Sequence, residues 1–169
     1  MKTKVIPYRD IQETMDLIKI QIADSLKYSK QWIEAYNIKS VSELFYELQD
    51  QTTFKHDPKG TELLQSMQTL FSNNYWGVAG SGDCDCFVIS VTACCINLNF
   101  NTEIVLAGRS PDKPVHIYNL VENIPFDLTE RNLGDERFYK YTQILPVNAS
   151  RIKRIKPKTQ LNKILRART

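Results

Sequence analysis

The chain reads as an α+β protein, and three observations carry that reading. Apolar side chains recur at helical spacing through its first third. An apolar run reaching about Leu98 follows Gly82-Asp83-Cys84-Asp85-Cys86. It is too long for an ordinary strand and reads as a buried central helix despite its β-branched residues. From Glu103 to Leu145 the texture changes to short alternating segments separated by turns, the pattern of strands. Helices first and strands second argue N-terminal helices and a cysteine-bearing helix packed on an antiparallel sheet.

The elements follow in order. Ile11, Met15, Ile18, Ile22 and Leu26 lie on one helix face, which predicts a helix over 10–29. Trp32, Ile33 and Tyr36 extend it or begin a short second piece. Ser40-Val41-Ser42-Glu43 is a capping-box pattern, and Val41, Leu44, Phe45 and Leu48 continue it as a helix over about 41–50. Thr52 to Lys55 is an extended exit, and His56-Asp57-Pro58-Lys59-Gly60 a turn. Thr61 to Phe71 fits either a helix or a loop packed on the core. Four strands are expected: Glu103 to Ala107, Val115 to Val121, Ile124 to Leu128 and Arg137 to Leu145.

A length of 169 residues suits one domain with a real core. It is expected over 1–150, its centre at about 40–146, with a basic tail over 151–169. No apolar stretch is long enough to span a membrane, and no signal-peptide pattern opens the chain, so a cytoplasmic protein is expected. All four cysteines, Cys84, Cys86, Cys94 and Cys95, lie in one short segment. They cannot staple distant parts of the chain and read as reduced thiols. Their spacing on one helix does not present a tetrahedral zinc site. Eight of the 22 Lys and Arg lie in 151–169, leaving 14 in the body against all 19 Asp and Glu. The net charge of +3 therefore resides in the tail.

Chemistry points to Cys84. Asp83 is a good N-cap residue, which puts Cys84 in a first helical turn. The helix dipole and the unpaired amides there are expected to stabilise a thiolate, and the Cys84 N–H is the one oxyanion donor to name. A cysteine nucleophile needs a base, and the base an orienting group. His116 stands on a predicted strand and Asp127 on the next, so antiparallel pairing can set them side by side. His116 would take the thiol proton and Asp127 fix its tautomer.

Several residues resemble a family pattern: Asp57-Pro58-Lys59-Gly60-Thr61-Glu62-Leu63-Leu64-Gln65, Gly82-Asp83-Cys84-Asp85, His116 with its alternating strand, and Phe126-Asp127-Leu128-Thr129. Over Phe45 to Thr129, about half the chain, it resembles the transglutaminase-like superfamily of papain-like cysteine enzymes, nearest to short members from bacteria and their phages. The resemblance implies a papain-like core, with Cys84 as nucleophile, His116 as base and Asp127 as orienting acid. It implies action on peptide or amide bonds through a thioester, with hydrolysis by a protease or amidase favoured over crosslinking. No metal or organic cofactor is required. A phage origin, with a role in or around a virion, is a further expectation. Two departures stand out. Cys86 replaces the usual second aspartate, and Leu128 replaces the usual proline.

The remaining residues have plainer readings. Cys86, Cys94 and Cys95 read as core thiols, His56 as a surface residue, and Asp85 as a helix-dipole partner or site residue. Tyr75 and Trp76 wall the site or sit in the core. The tail binds nucleic acid, docks on an acidic protein or assembly subunit, or is a solvated end. Within it, Thr159 to Arg166 fits a short amphipathic helix. A rival of another class is a structural or adaptor protein of a virion or other large assembly, with an idle triad and a docking tail.

Overall fold

The computed structural model describes residues 4–7, 11–72 and 74–157. The elements are β1 (Lys4–Pro7), α1 (Ile11–Tyr36), α2 (Val41–Gln51), β2 (Thr53–Phe54), β3 (Thr61–Leu64), α3 (Met67–Phe71) and β4 (Ser81–Gly82). They continue with α4 (Cys84–Leu98), β5 (Thr102–Ser110), β6 (Lys113–Val121), β7 (Ile124–Phe126), β8 (Tyr141–Pro146) and α5 (Ala149–Lys153). The α+β class holds: the main sheet is antiparallel, in the order β7-β6-β5-β8.

The helix signals act as the physics requires. The Ser40 side chain accepts from the Glu43 N–H, and the Glu43 carboxylate accepts from the Ser40 N–H, closing the capping box of α2. Helix α1 is one continuous element, and the Trp32 and Tyr36 rings, 4.9 Å apart, lie against each other across its last turns. Buried Ile18, Ile20 and Ile22 of α1 pack with Val88, Ile89 and Ala93 of α4 and with Ile104, Leu106 and Ile117 of the sheet. A second cluster sets Phe45 of α2 edge-on to Phe126 of β7, with centroids 5.0 Å apart, beside Phe87 and Val91. Helix α4 is apolar all round because it is buried all round. It ends where Asn99 turns left-handed (φ 57°).

Segment 61–71 divides into a strand and a short helix. Thr61–Leu64 pairs with β1. Met67 then starts α3 under a hydrogen bond from its N–H to Ser25 Oγ. The expected fourth strand begins later than Arg137, at Tyr141. The domain boundary expected at 150 also shifts. Asn148 caps α5 by accepting from the Arg151 N–H, and Ile152 is buried with α1 in the core. The Thr159 to Arg166 expectation lies outside the described residues.

The β6–β7 hairpin turns on two residues, Glu122 and Asn123, both with positive φ (50° and 64°). That conformation matches the right-handed twist of the flanking strands. Asn119 ties β6 to α4: its amide donates to Thr92 Oγ1 at 2.9 Å.

Candidate active site

Two glycines bring the chain to Cys84. Gly80 sits at φ +80°, and a Cβ there would lie 1.9 Å from the Gln51 carbonyl. A Cβ at Gly82 would lie 2.9 Å from Cys86 Cβ and 3.0 Å from Leu70 Cδ1. The chain thus passes tightly between α2 and α3 before Asp83 opens α4.

Asp83 occupies the N-cap position, but its side chain makes no capping hydrogen bond. The carboxylate instead joins Asp57, Glu62 and Asp85. The first-turn amides of α4 are therefore left without a side-chain cap beside the Cys84 sulfur, where an oxyanion can accept them.

His116 and Asp127 meet as expected. His116 Nε2 lies 2.5 Å from Asp127 Oδ2. Asp127 Oδ1 accepts from the Thr129 N–H (2.9 Å) and Thr129 Oγ1 (2.7 Å). Burial raises the Asp127 carboxyl, but the His116 and Thr129 hydrogen bonds outweigh it and hold the group below the usual carboxylate range. With Nε2–H donating to the Asp127 carboxylate, Nδ1 is the nitrogen free to take a proton. The imidazole stacks on Tyr118 and Tyr139, each 5.8 Å away. The Tyr118 hydroxyl donates to Glu136.

Cys84 lines a cavity of about 240 Å³ together with Glu62, Asp83, Asp85, Val115 and His116. A smaller void next to it is bordered by Cys84 and Asp127. Cys84 thus borders both spaces, with His116 lining the first and Asp127 the second. Among the described residues, however, no hydrogen bond joins the sulfur to the imidazole. The alternation of β6 turns Ile117 toward α4 and His116 toward Tyr118. The sulfur receives a hydrogen bond from the Ile117 backbone.

The thiolate expectation needs correction. Burial, then the charge of Asp83, with Glu62 and Asp127 adding to it, pushes the Cys84 thiol up to about 12. The Ile117 hydrogen bond opposes this without overcoming it. Burial first, and these carboxylates second, favour the neutral form, and the resting group is a thiol.

Other expected residues separate cleanly. All four cysteines are free thiols. Cys86 is fully buried, and its thiol donates to the Leu63 carbonyl at 3.0 Å. Cys94 donates to Met67 Sδ. His56 is exposed, edge-on to Phe54. Tyr75 and Trp76 pack against each other and border neither space at Cys84. Asp85 belongs to the acidic group, where burial first and Asp83 second raise its carboxyl well above the usual range. Burial and Asp83 push Asp57 up to about 7, against a 2.5 Å hydrogen bond from the Leu63 N–H.

These four carboxylates are the group best suited to hold a metal. Sequence reasoning missed them because Asp57, Glu62 and Asp83 converge only through the fold. It also missed Tyr118, Tyr139 and Glu136 around the imidazole. The even-numbered positions of the His116 strand were the available signal for Tyr118.

Among the described residues, no helix is long and apolar enough to cross a membrane. No family model, curated protein or solved structure matches the chain.

Proposed function

We propose that the chain is a transglutaminase-like cysteine enzyme acting on peptide or amide bonds through Cys84, His116 and Asp127. The observation that carries the reading is the His116–Asp127 pair, 2.5 Å apart, bordering the space at the uncapped start of the Cys84 helix. Cys84 Sγ attacks the carbonyl carbon while its proton passes to Nδ1 of His116. The first-turn amides of α4 receive the oxyanion. The C–N bond breaks, and the amine leaves with the proton from Nδ1. Water then attacks the thioester, His116 takes its proton, and the thiol is restored. An amine in place of water gives transfer, and the reading favours hydrolysis. Because Cys84 rests as a thiol, substrate binding must bring sulfur and imidazole into line, a tightening common between free and substrate-bound sites.

The test uses p-nitrophenyl acetate as a generic acyl donor at pH 7.5, with mass mapping. A p-nitrophenol burst with acetyl on Cys84, lost in Cys84→Ser and slowed at least about 100-fold in His116→Ala, supports the reading. Added methylamine measures the partition between hydrolysis and transfer. Uniformly slow acylation of all four cysteines, unchanged in His116→Ala, defeats it.

One observation favours a second reading, a structural or adaptor protein of a virion or other large assembly. Among the described residues no hydrogen bond joins the His116 imidazole, stacked on Tyr118 and Tyr139, to the sulfur, as expected of a site that has lost its chemistry. Exposed Arg151, Lys153 and Arg154 flank buried Ile152 and would begin the docking segment over 151–169. Nucleic acid is the other partner a basic segment suits, and a salt-dependent DNA-binding assay on the full chain and on a Ser150 truncation separates the two.

A further inference from the structure

The His116 imidazole carries two ring contacts that its hydrogen bond to Asp127 does not require. Tyr118, two residues along β6, has its ring centroid 5.8 Å away and its plane 19° off parallel. Tyr139, from the connection between β7 and β8, lies at 5.8 Å and 23°. Both tyrosines pack over Val105 and Ala107, the residues of β5 that pair with Tyr118 and His116. The connection is held down before it reaches Tyr139. The Tyr118 hydroxyl donates to Glu136, and Arg137 pairs with Glu130, whose carbonyl accepts from the Gln49 side chain of α2. The chain then turns Phe138 outward, 94% exposed, and Tyr139 inward onto the imidazole. Burying Phe138 instead would take the more apolar ring out of water, so burial alone does not explain this order.

We propose that Tyr118 and Tyr139 are positioning residues that fix the plane of the His116 imidazole and stabilise its protonated form. The inference rests on the reading of His116 as the base and adds the groups that make it an effective one. A hydrogen bond at Nε2 fixes one edge of the ring and leaves it free to rock about that contact. Two near-parallel rings remove this freedom. An aromatic face carries a negative quadrupole and attracts a cation within about 6 Å of its centroid, and both tyrosines lie inside that reach. The His116 side chain is only 10% exposed, so water screens the attraction little. The rings hold the imidazolium more strongly than the neutral imidazole, and so favour the transfer of the Cys84 proton to Nδ1. Glu136 adds to this, because accepting from the Tyr118 hydroxyl makes that ring richer in electrons. The other titratable groups around the imidazole are Asp127, which is hydrogen-bonded to it, and Glu62, Asp83, Cys84 and Asp85 across the cavity. None of these is altered in the variants below.

The experiment is a proton NMR titration of the full chain, whose two histidines are assigned with His56→Gln. Tyr139→Leu removes one ring current, so the His116 ring protons move downfield. The midpoint of their titration falls by about 0.5–1 pH unit, the worth of one desolvated cation–π contact. Tyr139→Phe keeps the ring and retains both the resonance positions and the midpoint. In the p-nitrophenyl acetate assay the Cys84 burst slows about three- to tenfold in Tyr139→Leu and stays within about twofold of the parent in Tyr139→Phe. Tyr139 is half-buried in a connection, and circular dichroism on the same samples verifies that both variants fold. The two readings fail apart. Without a burst in the parent the enzyme reading falls, while the resonances still decide whether the rings hold and stabilise the imidazolium. The proposal is overturned if Tyr139→Leu matches the parent in resonances and midpoint, or if Tyr139→Phe loses as much as Tyr139→Leu, which would assign the effect to the hydroxyl and not the ring.

Discussion

Replacing Asp127 by asparagine tests the site with almost no change of shape. The aspartate accepts from His116 Nε2 on one oxygen and from two Thr129 donors on the other. In the Asp127→Asn variant the new amide oxygen can keep the Thr129 contacts, which leaves the NH2 facing Nε2. The imidazole must then offer its lone pair at Nε2 and carry its proton on Nδ1, the nitrogen the mechanism needs bare. Acylation of Cys84 should fall by about 10³–10⁴-fold, the loss such a tautomer switch causes in other nucleophile–His–Asp sites. Stability should fall little. A charge-assisted hydrogen bond becomes a neutral one, at about 1–2 kcal/mol. For a chain of this size that lowers Tm by about 3–6 °C. The assay is the p-nitrophenol burst at pH 7.5, with circular dichroism melts on the same samples. Acylation within about threefold of the parent, in a folded variant, refutes the assignment of Asp127 as the group that sets the tautomer.

Other consequences are simpler to measure. Since Asp127 titrates below the usual range when folded, its contribution is present above the unfolded value of about 4 and is lost as pH falls through the folded one. The Tm gap between parent and Asp127→Asn should therefore shrink between pH 6 and pH 3, and a constant gap contradicts this. Gly80→Ala combines a positive φ with a Cβ 1.9 Å from the Gln51 carbonyl; urea unfolding should report a loss of about 2–4 kcal/mol. Ile152→Ala should cost about 2–4 kcal/mol in the same assay, because Ile152 is 5% exposed in the α1 core. A cost under about 0.5 kcal/mol would return Ile152 to the tail. Asn119→Leu removes the buried tie to Thr92 and should lower stability by about 1–3 kcal/mol.

The large apolar elements were legible because their signals are local. Ser40 and Glu43 declare α2 within one turn of helix, and the run after Cys84 can be little else than a buried helix. The strands from Glu103 onward show themselves by alternation. Segment 61–71 was not legible, because Thr61–Leu64 is a strand only by virtue of pairing with Lys4–Pro7. The His116–Asp127 pair could be read, since one short turn joins their strands. The state of Cys84 could not. Its position at a helix start argues for a thiolate, but burial and the fields of Asp83, Glu62 and Asp127 decide the matter, and those fields exist only in the folded chain. Asp83 misled for the same reason: its cap position was right, while its carboxylate had been recruited elsewhere.

The two-residue turn at Glu122 and Asn123 has a consequence for how this protein tolerates change in length. Strand partners across it are fixed residue by residue, from Val121–Ile124 to Asn119–Phe126, and Asp127 is the next residue along. One residue added to or removed from the turn would slip this register and exchange the two faces of β7. Phe126 would leave the core, and Asp127 would swing away from the imidazole. The opposite end of β6 is more forgiving, because the pairing with β5 already shifts register around Gly108, and a bulge can absorb an extra residue. Insertions should therefore accumulate near Pro111 and Asp112 and be purged at Glu122 and Asn123, leaving a record of selection on the length of one turn.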